Sequence, residues 1–190
     1  MRRRNWRVND PGRARFTQIA LALLVFNTQL LSLQAQPPGY PVPPPGAHHL
    51  FYLQRTPNTN TIMCELNLKN GSLDTDDPVH VYWIRYQERG QKAELNYIQR
   101  KFAYGMKTKK LAENNYEISF VSYKKYKMQL KPGADGRYHV FSKINQREVI
   151  LTRMYLSING GSFWSPNVEY VQVTGIDPVT RQEVQERIKI

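Results

Sequence analysis

The sequence is short of cysteine, of carboxylates and of long apolar runs, and each shortage removes a class of protein. Its one cysteine, Cys64, lies inside the apolar run 61–66, so an intramolecular disulfide or a thiolate metal cluster is excluded. No base accompanies it locally, which makes it a packing residue rather than a reactive thiol. The apolar run Ile19–Phe26 breaks after eight residues, short of the ~20 that a membrane anchor needs. No nucleophile elbow, zinc-protease helix or phosphate-cradling glycine loop is present. Glu65, Glu94, Glu117 and Glu169 could form a catalytic carboxylate pair only through the fold. No catalytic residue, metal ligand or cofactor is therefore assigned. A repeat of fixed period is also missing, which excludes a propeller or solenoid.

What is abundant is positive charge: 27 lysines and arginines against 15 carboxylates, a formal +12. Residues 1–35 hold six of those arginines and one aspartate, leaving +7 for the other 155 residues. The arginines at 2–4, 7, 13 and 15 precede Ile19–Phe26, the order of a secretory signal peptide. Cleavage is expected near Ala35, with export to the periplasm or cell exterior. Membrane contact is expected only if this signal stays uncut. Residues 36–47 hold six of the twelve prolines and read as an extended Pro-rich linker. A basic domain favours acidic partners in general, and export argues against nucleic acid among them.

Residues 48–190 read as a single β domain. Short β-favouring runs at 49–55, 60–68, 78–87, 95–105, 115–123, 126–131, 137–144, 147–158, 168–175 and 183–189 alternate with turn signals such as Asn70-Gly71, Asp135-Gly136 and Asn159-Gly160-Gly161. Tyr126, Met128 and Leu130 alternate with polar residues, as do Ile150, Thr152, Met154, Leu156 and Ile158, so each set shares one face. Eight to ten strands joined by hairpin turns predict an all-β fold, an antiparallel barrel or a two-sheet sandwich.

Aromatic residues and cations interleave in two of these runs, His80–Tyr86 and Tyr97–Tyr104. Strand parity places Trp83 and Arg85 on one face and Arg100, Phe102 and Tyr104 on one face of the next run. Two guanidinium groups between aromatic walls would suit a carboxylate or phosphate. The plain alternative stacks each arginine on a surface ring. On the opposite face His80 and Tyr82 are further candidates. Asp74-Thr75-Asp76-Asp77 lacks the glycine and distal glutamate of a calcium loop and reads as a solvated turn.

The segments His49–Arg55, Asn58–Thr61, Pro78–Tyr86 and Ile98–Gly105 together resemble the bacterial domain-of-unknown-function family 4833, over about residues 48–190. The resemblance implies an exported domain with no assigned activity. The interleaved runs add an expectation of their own: a non-catalytic binding module for a small anionic or amphipathic ligand. The alternatives are an envelope enzyme acting on a glycan or lipid, with His80 as acid–base, and an assembly factor that pairs through a strand edge.

Overall fold

A computed structural model describes residues 39–162 and 164–189 of the chain. The expected signal peptide at 1–35 and the first three residues of the expected linker lie outside them. From His49 the chain forms β1 (His49–Arg55), β2 (Thr61–Leu66), β3 (Leu68–Lys69), β4 (Ser72–Leu73), β5 (Val79–Arg85), β6 (Gln91–Glu94), β7 (Met106–Ala112), β8 (Asn115–Phe120), β9 (Met128–Pro132), β10 (Tyr138–Ile144), β11 (Arg147–Gly161), β12 (Pro166–Ile176) and β13 (Glu183–Lys189). Eleven of these make one sheet in the order β6-β5-β2-β1-β11-β10-β9-β8-β7, with β12 and β13 added to the far edge of β11; β3 and β4 pair with each other. The sheet curls into a half-barrel, so the expected all-β class holds.

The spine is β11. Its residues 147–150 pair antiparallel with β10, and Arg153–Leu156 pair in parallel with β1 along the same edge. Two four-stranded limbs therefore leave one side of the spine, β1-β2-β5-β6 and β10-β9-β8-β7. They close on a shared core in which the Phe51 ring meets Phe120 edge-on at 6.2 Å. Ile62, Cys64, Trp83, Ile118, Leu130 and Leu151 are buried there, each large apolar side chain contributing about 1.5–3 kcal/mol.

The structure departs from the sequence reading in three places, each with a local cause. Residues 95–105 form no strand. Asn96 accepts from the Gln99 amide at 2.8 Å and Gln99 accepts from the Asn96 amide at 3.1 Å, a reciprocal cap. It opens the short helix α1 (Tyr97–Gln99), which continues as one π-helical turn over Arg100–Tyr104. Next, Ile150 to Ile158 do not share one face, because the register of β11 with β12 shifts between Leu151 and Arg153. A one-residue bulge exchanges the faces of a strand. Val149 and Leu151 fill the core before it, Met154 and Leu156 after it, and Arg153 and Tyr155 turn to the outer surface. Last, Asn159-Gly160-Gly161 continues β11, and the turn falls at 162–165, where Ser162 and Ser165 exchange backbone hydrogen bonds of 3.1 and 3.2 Å.

Candidate binding site

The helical segment decides the fate of the sequence-predicted residues, because successive side chains there no longer alternate between two faces. Trp83 and Tyr104 come together in the core with rings at 5.2 Å and edge-on, and the indole donates to Gln99 Oε1 at 3.3 Å. Arg100 swings outward to Glu94 at 3.5 Å. Arg85 holds Glu88 at 3.1 Å instead. Each guanidinium thus has its own carboxylate, and they do not converge between aromatic walls. Phe102 is half exposed and meets the Trp164 ring at 5.7 Å.

His80 and Tyr82 lie on the outer face of β5. His80 Nε2 is 2.9 Å from Glu94 Oε2, so Glu94 joins His80 to Arg100. The Tyr82 hydroxyl donates to Glu65 at 2.6 Å, and Lys92 caps its ring at 3.6 Å. Burial raises the Tyr82 phenol well above its ordinary value, and Glu65 adds to the effect.

This outer face continues across six strands through cross-strand registers. One row runs Tyr82, Met63, Tyr52, Arg153, Thr174, Gln185; beside it lie Tyr155, Gln172 and Arg187. Such a surface on a curled sheet is normally wet, yet Met63, Tyr82, Gln54, Thr61, Tyr155 and Gln172 are all buried. Part of the cover comes from the Pro-rich segment. Tyr40 packs edge-on against Tyr155 at 5.3 Å and donates to the Arg55 carbonyl at 3.1 Å. Gln54 Nε2 donates to the Pro41 carbonyl at 2.7 Å. Residues 40–41 are thereby strapped onto β1.

Arg153 lies in the middle of this face. It is only 4% exposed, and its Nε and Nη2 have no hydrogen-bond partner among the described residues. Its guanidinium carbon sits 5.6 Å from the Tyr155 ring centre. Burial lowers its proton affinity, with Tyr52 and Tyr155 and then Glu183 acting in the opposite direction; the group stays charged nonetheless. The Gln54 Oε1 is likewise buried without a donor. A buried cation with idle N–H groups is costly unless an acceptor reaches it. The sequence passed over Arg153 because it falls on the polar side of the alternation, and nothing local shows that this side is buried.

Among the described residues no group of three or more His, Cys, Asp or Glu is placed to hold a metal ion. Asp74 is used in its own turn, where its Oδ1 accepts from the Asp76 and Asp77 amides at 3.0 and 3.3 Å. Cys64 is fully buried, and burial pushes its thiol far up.

A family model described as a domain of unknown function, DUF4833, matches residues 51–187. No curated protein and no solved structure matches the chain.

Proposed function

The chain belongs to the DUF4833 family of domains of unknown function, and we propose that here the domain is an exported, non-catalytic binding module for a small anionic or amphipathic ligand. The observation that carries the reading is Arg153, buried with two idle donors among Tyr40, Tyr52 and Tyr155. A carboxylate or phosphate monoester would accept from both donors in the forked geometry that arginine offers. The tyrosine rings would flank its carbon body. Export rests on the arginine-rich start followed by the apolar run Ile19–Phe26.

The test is thermal unfolding of the chain with inorganic phosphate and with decyl phosphate at constant ionic strength. The wild type gains stability with a saturating dependence on ligand, as linkage requires. Arg153→Met keeps the packing volume and loses that dependence. An unchanged response in Arg153→Met would remove the reading.

A second reading, an envelope enzyme, is favoured by one contact: the 2.9 Å approach of His80 to Glu94, the pairing an acid–base histidine requires. Turnover of a glycan or lipid ester by the wild type, lost in His80→Gln, would establish it in place of the binding module.

A further inference from the structure

The +7 of residues 36–190 is not spread evenly. The β7–β10 limb, residues 106–144, holds nine lysines and arginines against three carboxylates, a net +6; the rest of 36–190 sets twelve against eleven. Nearly all of the excess charge of the folded domain therefore sits on one four-stranded limb, away from Arg153 on the β11 spine.

Strand pairing arranges those cations. Lys107 and Lys109 of β7 stand opposite Ser119 and Glu117 of β8, Glu117 opposite Gln129 of β9, and Gln129 opposite Phe141 of β10. Lys143 follows two residues along, opposite Glu148 of β11. Where β9 and β10 part, a cleft of about 470 Å³ opens, lined among others by Lys125, Lys127, Gln129, Phe141, Lys143 and Glu148. Lys127 and Lys131 are held by Glu117 and Glu148, each at 2.9 Å. Lys107, Lys109, Lys124, Lys125 and Lys143 have no ion pair among the described residues.

We propose that this cleft and the lysines beside it bind an acidic polysaccharide, one uronate unit in the cleft and its neighbours along β7–β9. Three features select that partner. Lys107 and Lys109 stand at alternate positions of β7, about 6–7 Å apart, with Lys124 and Lys125 in the β8–β9 connection and Lys143 on β10, a spread of cations suited to a chain of anions. The cleft also presents acceptors, Glu117, Glu148 and the Gln129 amide, which serve sugar hydroxyls and have no use against a lipid phosphate. Phe141 lines the cleft but is buried, its ring covered by Lys131 at 4.6 Å, so the apolar surface offered to a sugar C–H face is the lysine's methylene stem. A concave site recessed between strands admits a polymer, whereas a flat bilayer would touch only its rim.

The experiment is titration calorimetry of the chain with a galacturonic acid hexamer at two salt concentrations. Saturable binding that weakens as salt rises is expected, since bound cations replace released counterions. The double variant Lys125→Glu/Lys143→Glu should bind at least tenfold more weakly, while Lys69→Glu/Arg89→Glu, an equal charge change at exposed positions elsewhere, should bind as the wild type does. All the substituted side chains are at the surface, and unaltered melting curves will show that the fold is kept. The proposal is overturned if the double variant binds the hexamer normally. It is also overturned if phosphatidylglycerol vesicles or single-stranded DNA bind the wild type while the hexamer does not.

Discussion

The Tyr82 hydroxyl and the Glu65 carboxylate meet at 2.6 Å on the outer face of adjacent strands, β5 and β2. Tyr82 is buried, so its phenol serves the fold before any ligand. Removing the hydroxyl leaves Glu65 without this donor. Tyr82→Phe should lower the unfolding free energy by about 1.5–3 kcal/mol, the range for a hydrogen bond to a charged acceptor, as read by urea denaturation. Phosphate binding at Arg153 should be untouched, which separates a structural tyrosine from a ligand-contacting one.

Gly105 closes the π-helical turn by close approach rather than by unusual dihedrals, for its φ of −61° is open to any residue. A Cβ there would stand 2.0 Å from the Arg100 carbonyl oxygen. Backbone on both sides of that contact cannot move independently. Gly105→Ala should therefore destabilise the domain by roughly 2–3 kcal/mol. Loosening of the Trp83–Tyr104 pair should appear as a change in the near-ultraviolet circular dichroism.

The β class and much of its punctuation could be read from the chain because hydrophobic alternation and turn chemistry are local. Met128 and Leu130 alternate and are buried, Asn70-Gly71 turns with φ of 54° and 79°, and Glu183–Lys189 closes the sheet as expected. What escaped the reading depends on partners far along the chain. The lysine-rich β7 has almost no buried residue and is a strand because β8 pairs with it; lysines on such an edge discourage further pairing. The segment 95–105 favours strand by composition, but the Asn96–Gln99 cap outweighs it. Arg153 falls on the polar side of the alternation in β11, and its burial there depends on distant residues such as those of the Tyr40–Pro41 segment. His80 and Arg100 are twenty positions apart and meet only through Glu94.

Cys64 has no exposure to solvent, and burial, with a further push from Glu65, keeps its thiol protonated far above neutral pH. A thiolate is the reactive form. In the native protein a disulfide reagent should leave Cys64 unmodified at pH 8, and the rate in increasing urea should follow the unfolded population. Rapid labelling without urea would contradict the packing described for β2.

Asp135 sits in the β9–β10 turn with His139 at 3.0 Å and Arg137 Nε at 3.0 Å. The His139 hydrogen bond, ahead of those from Arg137, holds its carboxyl well below the usual carboxylate range. Its stabilising effect is complete above the unfolded value near pH 4 and is lost as pH falls below that toward the depressed native value. Asp135→Asn should remove this part of the acid dependence, giving a shallower fall in melting temperature below pH 4 than the wild type.

Tyr155 shows the opposite behaviour at the other end of the pH scale. Burial, with Tyr40 against its ring, pushes its phenol up to about 12. The native state then holds the proton more tightly than the unfolded chain, whose tyrosines titrate near pH 10. Its contribution is intact below pH 10 and drains away as pH rises toward 12. Wild-type stability should fall through that window, and Tyr155→Phe should flatten the decline. If the Tyr40 strap supplies the burial, Tyr40→Ala should bring the Tyr155 titration back toward 10 in a tyrosinate absorbance experiment. The same variant should weaken decyl phosphate binding at Arg153, because one of the rings that flank the ligand's carbon body is lost.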